Sequence, residues 1–345
     1  MNVRPTLSRF VANQGLLILT ILLVIAFSIA LPHTFPTLLT AQSILIDRST
    51  TAFLALAEMI VIAAGQFDLS IGYGIGLMHI LAVGLQVKAG FPWPLAVATV
   101  LAIGAAIGLV NGMLVRYAKI DSFIATLGVG TILYAASNWY TGGQQVSGSL
   151  PAAFVAINGA APLGIPIAAL YVLLIAVALW IAFEYLPVGR YLYAIGANER
   201  AAELIGIPIT RYVIGAFVAS GLITAIAGVV LGAKLQIGQS NIGPEYLLPA
   251  FVGALLGSTS VRPGRVNVWG TIVAVLILAV GISGIQQMGA SFFIEPLFNG
   301  LTLIVAVGLA GYAVRRRLRA GVAVSSEAPQ DEPRVPPVPP EGVRT

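Results

Sequence analysis

The 345-residue sequence has no cysteine and only two histidines, His33 and His79, and charged residues make up just 9% of it. Without cysteine, a disulfide framework and a thiolate metal site are both excluded. His33 and His79 are far apart in sequence and have no paired carboxylates around them, which argues against a metal or general-base centre. The shortage of charge excludes more. A soluble domain carries roughly 25% charged residues, and too few are present here to coat a surface exposed to water. No Gly-x-x-x-x-Gly-Lys-Ser/Thr pattern occurs, so the chain has no phosphate-cradling loop of its own with which to hydrolyse ATP.

What the chain does have is apolar sequence, 58% of all residues. A membrane-crossing helix needs about 20 apolar residues. The runs near 15–31, 51–65, 70–88, 94–116, 121–140, 165–184, 211–233, 245–258, 266–287 and 297–313 predict an all-α, polytopic membrane protein with about ten spans. The second and eighth runs are short: each reads either as a half-helix or as the apolar part of a longer helix. The net charge of +5 could suggest nucleic acid, but in a membrane protein the distribution of charge matters more than its total. With the N-terminus inside, fifteen of the eighteen cationic residues fall on the inner side, and only Arg48, Lys88 and Lys234 fall outside. That asymmetry predicts an even number of spans with both termini cytoplasmic. The first run resembles a signal peptide in its Arg4 and Arg9, but its apolar core is longer than a usual signal core and Leu31-Pro32-His33 is a poor cleavage site. It is read as a retained span.

The expected organisation is a cytoplasmic N-terminus over 1–14, a transmembrane domain over 15–314 and a Pro-rich cytoplasmic tail over 315–345, disordered by composition. The arginines at 315–317 and 319 read as an anchor for the last helix at anionic headgroups.

Three stretches break the span pattern. In Gly65–Gly74, backbone that is not helical near membrane depth must be buried in protein or line water. Asp68 and Ser70 read either as caps for the following helix or as substrate contacts. Just upstream, Glu58 is an acid in an apolar run, where insertion costs about 2.5–3.5 kcal/mol. It reads as a polar group of a translocation pathway, as a packing residue paired with a polar neighbour, or as a proton-coupling group. The second stretch runs from Asn111 to Gly128. Arg116 and Lys119 favour the inner surface, Asp121 or Ser122 can cap the next span, and the small residues Ala125, Thr126 and Gly128 permit close helix approach. So do Ala102, Gly104, Ala105, Ala106 and Gly108. The third stretch, 187–208, is the longest inner connection. Asn198 caps a short helix over 199–205, which Gly206 and Pro208 end. Such a helix either docks on a partner protein or lies on the membrane surface.

Taken in order, these stretches resemble the permease subunits of bacterial ABC importers of the ribose/xylose/arabinose/galactose type. EMIVIAAGQFDLSIG (58–72) is similar to that family's Gly-Gly-Ile-Asp-Leu-Ser-Val-Gly segment, with Gln66 and Phe67 in place of Gly and Ile. The stretches 111–133, 140–146, 189–209 and 248–271 follow in the family's order, and the resemblance covers roughly 40–315. It implies two permease copies around one pathway, a cytoplasmic ABC ATPase that binds ATP and Mg²⁺, and a periplasmic sugar-binding protein. No cofactor is expected in this chain, nor any enzymatic activity or nucleic-acid partner; the location is the bacterial inner membrane. By the same resemblance, Gly189, Arg190, Gly196, Ala197, Asn198, Glu199, Ala201, Ala202, Gly206 and Ile207 form the ATPase-docking segment. Glu58, Asp68, Ser70, Asn111 and Thr126 are the polar candidates inside the spans. An ion-coupled secondary transporter of a small polar solute is the competing class.

Overall fold

The computed structural model describes residues 7–291, 293–304 and 308, with side chains from residue 14 onward. The Pro-rich tail expected in the cytoplasm, its arginine cluster and the end of the tenth apolar run lie outside the described residues. Within them the chain is helical: α1 (Leu7–Ala30), α2 (Leu38–Ala63), α3 (Ser70–Val87), α4 (Trp93–Arg116), α5 (Ser122–Thr141), α6 (Ala152–Gly159), α7 (Ile167–Glu184), α8 (Pro187–Ala197), α9 (Glu199–Leu204), α10 (Ile209–Leu235), α11 (Leu247–Leu256), α12 (Val268–Gln287) and α13 (Ile294–Ile304). Two-residue strands β1 (Val146–Ser147) and β2 (Ile237–Gly238) pair antiparallel. Five helices, α3, α4, α7, α10 and α12, are both long and apolar enough to cross a membrane.

Helix α2 occupies the centre. Residues 49–61 are buried without a break, as expected of a helix apolar on every side. Helices α3, α10 and α12 pack around it and are largely buried, whereas only 22% of an 18-residue apolar stretch of α4, and 22% of α7, is fully buried. Their exposed surface is apolar, including Leu109, Leu173, Leu174 and Ile181. This is the inverse of a water-soluble surface and suits contact with lipid.

Glycine sets the spacing of the tightest helix pair. Gly104, Gly108 and Gly112 form a stripe on α4 that lies against α10. A Cβ on Gly108 would come within 2.2 Å of the Phe217 carbonyl oxygen, and one on Gly221 within 2.2 Å of the Gly104 carbonyl oxygen. The backbones touch because no side chain intervenes. Gly128 does not share this role: nothing lies within 4 Å of the position its Cβ would take. Ala102 and Ala106 are exposed.

The structure decides the sequence-based boundaries in three places, choosing between the two readings of the second and eighth runs and correcting 187–208. The second apolar run belongs to a helix that begins thirteen residues earlier, at Leu38, where the Thr37 hydroxyl accepts from the Thr40 amide at 3.1 Å. Its first half is polar because those side chains have partners: Gln42 donates to the Gly164 carbonyl at 2.7 Å, and Lys234 donates to Asp47 at 2.8 Å. Arg48 pairs with Glu295. The eighth run, by contrast, stays short. α11 has 10 residues and is bounded by single turns at Gly243–Tyr246 and Gly257–Thr259. The third correction concerns 187–208, which carries two helices: α8 starts at Pro187, whose missing N–H costs nothing in a first turn. α9 matches the short capped helix, with Asn198 accepting from the Ala201 amide at 3.0 Å and Gly206 at φ 80° after it.

Candidate functional site

The five polar residues picked out inside the spans come together in one place. Glu58, Asp68, Ser70, Asn111 and Thr126 are all at most 3% exposed. They are carried by α2, the 64–69 turn, α3, α4 and α5. Asp68 is the hub. Its Oδ1 accepts from the Ser70 hydroxyl at 2.5 Å, the Ser70 amide at 3.1 Å and the Asn111 side-chain amide at 3.4 Å. Its Oδ2 accepts from the Ser220 hydroxyl at 2.9 Å. Asn111 also donates to the Ser70 oxygen at 2.7 Å. One carboxylate thus ties α3, α4 and α10 together.

The backbone of the turn is held as closely. Three successive amides donate to three side chains: Phe67 to Ser122 Oγ at 3.1 Å, Asp68 to Glu58 Oε1 at 3.3 Å and Leu69 to Thr126 Oγ1 at 2.9 Å. Buried amides require partners, and α5 and α2 supply them here. The helix-cap reading holds for Asp68, which accepts from the amide of the first residue of α3, and fails for Ser70. The residue before α3 is Leu69, with no side-chain cap, and Ser70 is a donor to Asp68 as well as its neighbour. Asp121, not Ser122, caps α5, accepting from Phe123 and Ile124.

No basic side chain enters the cluster: all four ion pairs among the described residues lie elsewhere. Glu58 Oε2, Asn111 Oδ1 and Thr224 Oγ1 have no hydrogen-bond partner among the described residues. Beside them is a cavity of about 10 Å³ lined by Asp68, Ser70, Asn111, Thr224 and the glycine contact of α4 with α10. That is the size of one water and far below that of a sugar. In this conformation the cluster is interior structure, closed to solute.

A second cavity, of about 670 Å³, opens at the other end of the bundle. It is lined by Asp47, Arg48, Lys234, Glu245, Tyr246, Glu295 and Asn299, among others. Two of the three cationic residues assigned to the outer side, Arg48 and Lys234, are among its lining.

The ten residues expected to dock a partner divide into two groups. Ala202 and Ile207 are buried and seat the segment on the bundle, together with Leu192 and Ile195. Gly189 is buried, and Gly196, although exposed, is packed on one side against backbone. A Cβ on Gly189 would meet Phe183 backbone at 2.3 Å, and one on Gly196 would meet the Ala63 carbonyl oxygen at 2.4 Å. Arg190, Gly196, Ala197, Asn198, Glu199, Ala201 and Gly206 are exposed. Sequence reasoning missed Leu204 and Ile205, which are 85% and 75% exposed at the tip of the segment. The available signal was two bulky apolar residues at the end of a six-residue polar helix. Ser220 was missed as well, being one of two small hydroxyl residues, with Thr224, in an otherwise apolar run.

Polar contacts anchor the segment. Glu199 pairs with Arg116 at 2.6 Å. The Tyr193 hydroxyl donates to the Val266 carbonyl at 2.8 Å, beneath the Arg265 guanidinium, which sits 4.4 Å from the ring centroid. Burial raises the Tyr193 phenol above its ordinary value, so it remains a donor at neutral pH.

A multi-pass helical bundle with lipid-suited flanks, a buried polar hub and a projecting helical segment is a membrane permease. The chain belongs to the family described as branched-chain amino acid transport system / permease component, whose model matches residues 40–308. It is similar to the ribose import permease protein RbsC of Escherichia coli (strain K12), with 31% identity over 296 residues, covering 84% of this chain and 91% of that protein. The Bacillus subtilis (strain 168) protein of the same name is 34% identical over 287 residues, covering 83% and 88%. The autoinducer 2 import system permease protein LsrD of Escherichia coli (strain SMS-3-5) is 30% identical over 266 residues, covering 76% and 80%. No solved structure matches the chain. It is a multi-pass inner-membrane protein.

Proposed function

We propose that the chain is the translocating subunit of an ATP-binding-cassette importer of a monosaccharide or a similarly small polyhydroxylated solute. Two permease copies enclose one path, a periplasmic binding protein delivers the solute, and a separate ATPase that binds ATP and Mg²⁺ supplies the energy. The chain itself carries out no chemistry. In this reading about ten spans place both termini in the cytoplasm, and the cation-rich end of the bundle, with Arg116, Arg190, Arg262 and Arg265, faces inward.

The observation that carries the proposal is the α8–α9 segment. Its apolar underside is seated on the bundle, and its far side presents Leu204 and Ile205. An amphipathic helical segment with exposed apolar anchors suits insertion into a groove of a partner protein, and buried apolar anchors dominate such interfaces. The sugar assignment rests on the ribose permeases among the relatives, and the 670 Å³ outer cavity lies within the usual size range for a small-molecule site.

The competing ion-coupled transporter draws on the buried acids Glu58 and Asp68. Uptake in cells separates the two readings. An ABC permease keeps transporting when the proton gradient is collapsed and stops when ATP is depleted; the opposite result refutes the proposal. In addition, Leu204→Glu should abolish co-purification of the ATPase while the permease still accumulates in the membrane.

A further inference from the structure

The docking segment and the buried cluster are joined by backbone, and that joint suggests how motion at one reaches the other. Gly196, near the end of α8, lies against the turn that follows α2. A Cβ on Gly196 would fall 2.4 Å from the Ala63 carbonyl oxygen and 2.9 Å from the Gly65 nitrogen. From the other side, a Cβ on Gly65 would fall 3.1 Å from the Gly196 Cα. Gly65 has φ 74°, a conformation that glycine adopts without strain. The contact therefore has no side chain that could yield by changing rotamer, and close-packed atoms pass displacement on.

The displacement has a defined destination. Three residues beyond Gly65 is Asp68. The amides of 67–69 are pinned to α5 and α2, and the Asp68 carboxylate is pinned to α3, α4 and α10. A shift of the turn must break or re-form these bonds. A second link reaches the same cluster from α9: Glu199 holds Arg116, and Arg116 lies five residues beyond Asn111 on α4. Two separate links thus run from the docking segment to one carboxylate.

We propose that Gly196 is a positioning residue of transport, and that the Asp68 cluster is the point inside the bundle at which movement of α8 and α9 is received. This inference rests on α8–α9 being the ATPase-docking segment. It goes further by giving this exposed glycine a packing role against the turn after α2, and by giving the cluster a conformational role instead of solute binding.

Because the chain lacks cysteine, a single reporter thiol is unambiguous. Ser220→Cys places one on Asp68. The permease is purified with its ATPase, association is measured first, and labelling by N-ethylmaleimide is then timed without nucleotide and with Mg-ATP plus vanadate. We expect nucleotide to change the labelling rate at least about fivefold, the lower range of coupling between distant sites. In S220C/G196A we expect the ATPase to be retained and the nucleotide effect to fall below about twofold. A merely structural glycine would lower yield or association and leave the nucleotide effect intact in the complexes that form. Labelling at position 220 that ignores nucleotide while the ATPase is bound overturns the proposal, and so does an undiminished effect in the G196A complex. If G196A does not assemble, the single variant S220C decides by the first of these criteria. A cysteine-free chain that never retains the ATPase refutes the docking reading instead, and the association step reveals this before any labelling.

Discussion

Substituting Gly108 by Ala tests whether the α4–α10 contact sets the geometry of the polar hub. The added methyl would sit 2.2 Å from the Phe217 carbonyl oxygen and 2.7 Å from the Val218 Cα. Both are backbone atoms, so relief requires the helices to part by about 1 Å. Overpacking of this kind costs about 1–3 kcal/mol. Parting also stretches the bonds that cross the gap, Ser220 to Asp68 at 2.9 Å and Asn111 to Asp68 at 3.4 Å. Each such bond in a membrane bundle is worth about 0.6 kcal/mol on average. The higher helix propensity of alanine returns at most about 1 kcal/mol. The expected net loss is about 1–3 kcal/mol. It should be read by reversible SDS or thermal unfolding of the purified permease in detergent, at constant detergent concentration. Gly128→Ala is the internal control: its Cβ meets nothing within 4 Å, so its stability should be unchanged or slightly higher. If Gly108→Ala unfolds within about 0.5 kcal/mol of the parent, or Gly128→Ala loses as much, the packing argument is wrong.

Two further outcomes follow from the hydrogen bonds. Thr126→Val keeps the shape of the side chain but removes the acceptor of the Leu69 amide, so it should cost about 1–3 kcal/mol by the same unfolding assay; a neutral result would mean the amide finds another partner. Tyr193→Phe deletes the bond to the Val266 carbonyl and should cost about 0.5–1.5 kcal/mol. It should also loosen the 257–267 loop, seen as faster amide exchange at Val266 and Asn267 than in the parent.

Much of this could be read from the sequence, because bilayer crossing imposes length and polarity limits that act on each segment separately. The helices α3, α4, α5, α7 and α12 lie where the apolar runs predict them. Polar residues inside those runs were conspicuous for the same reason, and all five gather at one point. What escaped notice depends on contacts between segments. Asp47 and Arg48 made the start of α2 look like a loop, since their partners Lys234 and Glu295 are more than 180 residues away in sequence. Gly189 and Gly196 looked like parts of a docking motif because nothing local reveals that Phe183 and Ala63 lie against them. Leu204 and Ile205 passed as ordinary apolar residues, because their exposure is a property of the folded bundle.

The short pairing of β1 with β2 has a mechanical consequence. It connects the chain just after α5 to the chain just after α10, and it rests on α3, where His79 Nε2 accepts from the Gln239 amide at 3.0 Å. A Cβ on Gly148 would fall 2.6 Å from a Val87 methyl, so the segment after β1 is clamped to the same helix. The C-terminal ends of α3, α5 and α10 are thereby buckled together and cannot splay independently. A bundle fastened at one rim opens from the other side, or swings about the fastening as a hinge. Any gate at this rim must then involve elements left outside the buckle, such as α11, α12 and the first half of α2, which border the 670 Å³ cavity there or pack beside it.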